Sequence, residues 1–522
     1  MTGCPLAPAP TIYQIYPRSF RDTTGSGIGD LNGVTEGLEA IAALGVDAIW
    51  IGPFYPSPWD DGGYDITDYR AVDERLGTLE DFDRLLARAH ELGLKVLIDQ
   101  VLNHTSCEHP WFERAIAGDE DCAEYYVWRD PKPDGTAPNN WLSQFGEPGW
   151  MWNHKRRQYY FHQFLACQPS LDLRHPRVKE EHRKTLKFWV DRGVDGFRFD
   201  AVTSFLFDGM EDNPPASPEV KARVSGDAFN PYTYQDHVYD ILPGDGAAYA
   251  ENLRDWAGEH LWLMGESTAG NNSVELALSF SEPHRLNACY TTDPVEKGRD
   301  PQALAALIDA MQGQFRLPWW FSSHDQPRSA SSLGDGGPRG AKFLALLRAV
   351  LPGALILYQG EELGLPQPHL EKSENGDYYD RLYWPDGPGR EGARVPIPWL
   401  EDDGSGGWGF TTGTSWLPMR WQAGHSRAAQ EGDEDSVLHA TRAALAARRA
   451  HGWEVPDALE VEATDQVLRL TITTGAGRWR AVFNFSEDAP HRAPEAASGA
   501  PEYASGAVDG GLPPLTGAIW RL

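Results

Sequence analysis

Arg198 and Asp200 stand two residues apart in Gly196-Phe-Arg-Phe-Asp200, at the end of a short apolar run. In a strand, residues i and i+2 share one face. A buried strand carries two charges on one face only where they pair or react. The guanidinium is expected to lower the carboxylate's pKa and keep it ionised, as a nucleophile or an electrostatic stabiliser requires. A structural salt bridge explains this motif alone about as well, but other strand ends break the tie. Asp99-Gln-Val-Leu-Asn103-His104, Gly265-Glu266-Ser267-Thr268 and Ser323-His324-Asp325-Gln326 each follow an apolar stretch. Like charges gathered on one rim cost stability, a cost expected at an active site. One ionised carboxylate to attack an anomeric carbon, and one protonated to serve the departing oxygen, suits acetal chemistry. Arg198 marks Asp200 as the anion. Glu266, after the apolar Leu261-Trp-Leu-Met264, is placed for the raised pKa of a general acid.

The elements that must position these groups alternate. Strand patterns cover residues 11–16, 48–51, 95–101, 194–199, 261–264, 287–291, 321–323 and 354–358. Helical spacing marks 34–44, 79–92, 178–190 and 341–350, with Gly45 and Gly93 as stops. Eight strands alternating with helices over some 350 residues point to a (β/α)8 TIM barrel, whose chemistry sits at the C-terminal ends of its strands. Residues 104–172, rich in Trp, Tyr, Pro and Asn, are too long for a connection and read as an inserted loop-rich domain after strand 3. A further excursion covers 206–240. A helix from about Ser436 to His451, then strand patterns at 467–473 and 479–485, form a C-terminal antiparallel β domain. The expected division is therefore a barrel of 1–103 and 173–435, an insert of 104–172 and a C-terminal domain of 436–522.

Composition narrows the partners. Acidic residues outnumber basic ones by 76 to 46, a formal charge of -30 over 522 residues, which repels nucleic acid and anionic membranes and suits a neutral small molecule. Hydrophobic residues make up 41%, an ordinary globular share, and no run approaches a membrane span. The first ten residues lack the basic and apolar regions of a signal peptide. Five scattered cysteines, without metal-ligand spacing, fit free thiols in a reducing cytoplasm. Gly25-Ser-Gly27-Ile-Gly29 has the wrong spacing for a dinucleotide fingerprint. Trp141, Trp150, Trp152 and His162 in the insert serve a core as readily as a sugar site.

Taken together, the ordered motifs resemble the α-amylase superfamily, glycoside hydrolase family 13, over nearly the whole chain. Residues 99–104, 196–200, 265–266 and 324–325 look like its four ordered regions. The resemblance implies Asp200 as nucleophile, Glu266 as acid/base and Asp325 as transition-state stabiliser, with His104, Arg198 and His324 holding the first sugar. Ile15-Tyr-Pro-Arg-Ser-Phe20, Gly63-Tyr-Asp-Ile-Thr-Asp-Tyr69, Asn103-His-Thr-Ser106, His109-Pro-Trp-Phe112, Gln168-Pro169 and Gly389-Arg-Glu-Gly-Ala-Arg394 are similar to the α-glucosidase and oligo-1,6-glucosidase branch. That likeness implies Tyr64, Asp65, Gln168 and Arg394 as sugar contacts and Phe164 as a wall. It implies an exo-acting, retaining enzyme with its two main carboxyls about 5–5.5 Å apart.

Three departures qualify the likeness. The family's calcium loop reads here Asp22-Thr-Thr24-Gly-Ser26-Gly-Ile28-Gly-Asp30, whose hydroxyls are weaker ligands for a hard cation. Ca2+ at 22–30 is a candidate, but the loop is expected to be ion-free or weakly occupied, and no cofactor is required. Ser323 replaces a usual asparagine. Ala201 after the nucleophile looks like an α-1,4 preference. Transglucosylation and sucrose or trehalose conversion share the same residues, and a carbohydrate-binding relative without activity is the remote alternative. A monomer or a homodimer fits equally.

Overall fold

The computed structural model describes residues 6–221, 229–241, 243–267, 273–311, 313–387, 389–492, 500–508 and 511–522. Thr268, Cys4 and part of the 206–240 excursion lie outside them. Seven parallel strands curl into one sheet: β1 (Thr11–Ile15), β2 (Ala48–Ile51), β3 (Lys95–Gln100), β4 (Gly196–Phe199), β5 (Trp262–Ser267), β6 (Ala288–Thr291) and β7 (Leu355–Tyr358). They run β7-β1-β2-β3-β4-β5-β6. The expected strand at 321–323 does not form. The gap is spanned by the stretch before it, where Trp319 makes a single parallel bridge to Leu355 and the Arg316 carbonyl accepts from Cys289 N–H at 3.2 Å. Pro318 within that stretch has no N–H to give a ladder.

Strand parity builds the interior. Ile12, Ala48, Trp50, Leu97, Trp262, Met264, Ala288, Tyr290, Ala354 and Ile356 fill the centre of the barrel. Their alternates, among them Ile49, Val96, Phe197, Leu263 and Leu357, pack outward against the helices. One step above the inner layer the same columns carry Asp99, Arg198 and Glu266. Asp99 and Arg198 are register partners, as are Glu266 and Tyr290. Gly196 makes this possible, because a side chain there would run into the Trp262 carbonyl on β5.

The helices follow their caps. Asp30 caps α1 (Leu31–Ala42) through Gly33 N–H, and Thr78 with Asp81 forms a capping box on α2 (Leu79–Glu91). Pro176 opens α3 (Pro176–Arg192), and Gly193 closes it at φ 97°. None of the described helices is long and apolar enough to cross a membrane. Between β3 and α3 lie two short helices and a three-stranded antiparallel sheet, whose Trp150 and Phe161 are buried together with Trp141 from a preceding loop, while Trp152 is exposed. After the helix Val437–His451, capped by Ser436, comes a five-stranded antiparallel sheet. Arg448 on that helix donates to the Ala349 carbonyl at 3.1 Å and to the Leu351 carbonyl at 2.5 Å, satisfying the end of the barrel helix Pro338–Val350.

Candidate active site

Arg198 lies beneath the rim, 1% exposed, and organises what stands above it. Its Nη1 donates to Asp99 Oδ1 at 2.7 Å and Asp200 Oδ1 at 2.8 Å. Its Nη2 lies 2.5 Å from Glu266 Oε2, and its Nε donates to Tyr290 Oη at 2.9 Å. Tyr64 Oη and Trp50 Nε1 donate to Asp99 Oδ2, so Asp99 is a buried counter-ion beneath the cavity. Ala201 N–H donates to Glu266 Oε2 at 3.2 Å from a left-handed turn at φ 42°.

Three carboxylates around one guanidinium leave an excess of negative charge. Burial, with the like charges of Glu266 and Asp99, holds the Asp200 carboxyl well above the usual carboxylate range in spite of Arg198. Arg198 does lower it, as expected, but burial outweighs the guanidinium. Asp200 and Glu266 both meet the Arg198 guanidinium, at Nη1 and Nη2, which brings the two carboxylates close together. Glu266 rests on a guanidinium and a backbone N–H, not in the apolar pocket that its flanking residues implied.

Asp325 is the opposite case. Burial alone would raise its pKa, but His324, Arg390 and Arg394 together hold it well below the usual range. Its Oδ1 accepts from Arg390 Nε at 2.9 Å and Arg394 Nη2 at 2.7 Å, and His324 Nε2 lies 3.0 Å from Oδ2. The His324 ring is stacked between Tyr16 and Tyr64, at 5.6 and 5.3 Å. Ser323 Oγ accepts from Asp325 N–H at 3.1 Å, so the serine does supply a bond beside this carboxylate.

A cavity of about 230 Å³ opens over these groups. Of the expected residues, Asp200, Glu266, Asp325, Tyr64, His104, Phe164 and Ala201 line it. Burial lowers the His104 pKa to about 4, so its imidazole is neutral at neutral pH. Arg198, His324 and Gln168 stand behind the wall. Gln168 donates to Asp61 Oδ2 at 3.0 Å and lies 3.1 Å from His104 Nε2.

Two expected sugar contacts are displaced by neighbours. Asp65 is fully buried and turned away, accepting from Ser57 Oγ at 2.7 Å and Asp60 N–H at 2.9 Å. The carboxylate in the cavity is Asp61. Gly62 and Gly63, both at positive φ, turn the chain between the two aspartates. Likewise Arg394 donates to Asp377, Asp325 and the His324 carbonyl, while Arg390, one helical turn earlier, lines the cavity and donates to Asp61 Oδ1 at 2.8 Å. The doublet Asp60-Asp61 and the first arginine of Arg390-Glu-Gly-Ala-Arg394 carried the signal. Gln144, Phe145, Asn230, Tyr232, Trp320 and Tyr379 also line the cavity, and sequence reading assigned them nothing.

The 22–30 loop does not fit a cation. Asp22 accepts from Thr24 N–H and Oγ1, Gly25 N–H, Gly27 N–H and Thr411 Oγ1 at 2.6–3.0 Å. Asp30 accepts from Thr23 N–H and Oγ1 and from Gly33 N–H, and Ser26 Oγ donates to the Ile28 carbonyl. Lone pairs that would face an ion already face N–H and O–H groups.

Comparison with known proteins gives a consistent answer. The family model for the alpha amylase catalytic domain matches residues 14–455. A probable alpha-glucosidase of Rhizobium meliloti (strain 1021) is 42% identical over 493 residues, spanning 92% of this chain and 89% of that protein. An oligo-1,6-glucosidase of Parageobacillus thermoglucosidasius is 32% identical over 528 residues, spanning 92% and 90%. The crystal structure of the alpha-glucosyl transfer enzyme XgtA superposes with a TM-score of 0.90 at 36% identity, covering 98% of this chain and 99% of that one.

Proposed function

The chain belongs to the alpha-amylase family and is a glycoside hydrolase, and on that premise we propose that it is a retaining, exo-acting α-glucosidase. It would release or transfer the non-reducing terminal glucosyl unit of short oligosaccharides, with α-1,4 links preferred. The observation that carries this reading is one rim on which Asp200 and Glu266 share Arg198 while Asp325 is held ionised across the cavity by Arg390 and Arg394.

Asp200 Oδ attacks the anomeric carbon as the glycosidic C–O bond breaks, and Glu266 gives its proton to the departing oxygen. Asp200 attacks in its ionised form, which Arg198 Nη1 at 2.8 Å favours. Glu266 then removes a proton from water, or from a sugar hydroxyl, as that oxygen displaces Asp200. Asp325, kept anionic, faces the positive charge that develops on the sugar ring. Tyr64, His104 and Phe164 floor the cavity, and the Asp61–Arg390 pair shuts one side, which supports an exo mode. Transfer and hydrolysis partition the same glucosyl-enzyme. The likeness to a glucosyl-transfer enzyme and the aromatic residues Phe145, Tyr232 and Tyr379 support an acceptor site. No calcium is needed for the reaction.

Product analysis after separate incubation with maltose, isomaltose, sucrose and trehalose, with and without an alcohol acceptor, tests the reading. Glucose from maltose, faster than from isomaltose, is expected. Asp200→Asn should lower kcat by roughly 10⁴-fold or more with the fold retained, and unchanged turnover would remove the mechanism.

A further inference from the structure

One side chain on the cavity wall ties together three segments that are far apart in sequence. Asn230, 2% exposed, lines the cavity. Its Nδ2 donates to the Gln144 carbonyl at 2.7 Å and to Tyr379 Oη at 2.9 Å. Its Oδ1 accepts from Tyr232 N–H at 2.9 Å. The insert, the excursion after β4 and the loop after β7 therefore meet at one amide, and both of its ends are used.

The packing around it is close. Gly146, at φ 83°, has no room for a side chain, because one would run into Asn230 Oδ1 and Tyr383 Oη. Tyr383 Oη donates to the Phe145 carbonyl at 2.7 Å, and the Phe145 and Tyr379 rings lie 4.9 Å apart. Asn230 thus fixes a wall of Gln144, Phe145, Tyr232 and Tyr379.

The position of the wall gives its role. Gln144 Nε2 donates to Ser204 Oγ at 2.7 Å, in the short turn Val202–Ser204 that follows Ala201. Ala201 N–H in turn holds Glu266. The wall therefore rises on the side of Glu266, where the leaving group departs and an acceptor arrives. From there it runs round to the Asp61–Arg390 pair, where the Arg390 guanidinium lies 5.6 Å from the centre of the Phe145 ring.

We infer that Asn230 is a specificity-determining positioning residue for the aglycone and the acceptor: through the Gln144 carbonyl, Tyr379 Oη and Tyr232 N–H it holds the surface against which the second sugar packs. This rests on the glucosidase reading above. Glucose is bound by the floor residues, so Asn230 should matter in proportion to what occupies the aglycone side.

The experiment compares maltose with α-glucosyl fluoride, whose leaving group is a single atom. In Asn230→Ala, the kcat/KM ratio of maltose to fluoride should fall about tenfold, chiefly through the KM for maltose. The fraction of glucosyl-enzyme captured by an added alcohol should fall with it. Asn230→Asp keeps the size and the acceptor oxygen but gives up both donated bonds. It should shift the ratio in the same direction, so the inference stays testable if the alanine variant folds poorly. An equal loss on both substrates, or an unchanged ratio in both variants, would overturn the inference. If the unsubstituted enzyme splits neither maltose nor the fluoride, the glucosidase reading fails instead.

Discussion

At the scale of single residues, Asp65 is the carboxylate whose titration can be followed most directly. Burial raises its pKa to about 6 from 3.8, against the hydrogen bonds of Ser57 and Asp60 and with Asp61 as a like-charged neighbour. Between those values the folded chain holds a proton that the unfolded chain has released. Asp65 therefore contributes stability that is present in acid and lost as pH rises toward 6, by about 3 kcal/mol at most. The difference in Tm between the natural protein and Asp65→Asn should move against the natural protein from pH 4 to pH 6. A difference constant over that range would discount the assignment. Asp65 also shows what sequence can and cannot give. The tyrosine–aspartate motif led to the right loop, but which aspartate faces the cavity depends on two glycine dihedrals that the motif does not encode. The pairing of Arg198 with Asp200 was legible from a two-residue spacing. The net direction of Asp200's pKa was not, because it depends first on burial and then on Glu266 and Asp99 arriving from other strands.

At the scale of elements, parity did most of the predictive work. Arg198, Asp200 and Glu266 extend columns whose lower members fill the barrel, so the alternation that makes a strand amphipathic also lifts the reactive groups to the rim. The closing strand was misplaced by a few residues. Phe321-Ser-Ser-His reads as apolar and extended, yet the chain pairs earlier, at Trp319, beside a proline that limits it to one bridge. The 22–30 loop supplies an Asp30 cap on α1 braced by Thr23, which needs coordinates to see. Asp30→Ala should cost about 1–2 kcal/mol in chemical unfolding. Calcium or a chelator should leave Tm unchanged, and a rise of several degrees on adding calcium would restore the ion.

At the scale of the whole molecule, the catalytic groups are anchored by two different means. Arg198 and Glu266 stand on strands inside the hydrogen-bonded sheet, with Asp200 immediately after one. Asp325 stands beyond the single bridge at Trp319, on a turn whose neighbours are not strands. Charge does for it what a ladder does for the others: Arg390 and Arg394 grip it, and Asp61 and Asp377 grip them. The working site is thus riveted on one flank and only magnetised on the other. Guanidinium ions imitate the arginine grip and compete for the same carboxylates, so activity should vanish at a lower guanidinium concentration than helical circular dichroism does. In urea, which carries no charge, the two losses should lie closer together. Coincident curves in both denaturants would mean that the stabilising carboxylate is held as firmly as the nucleophile. Separated curves in guanidinium would mean that the enzyme can be disarmed without being unfolded, by prising open one electrostatic clasp.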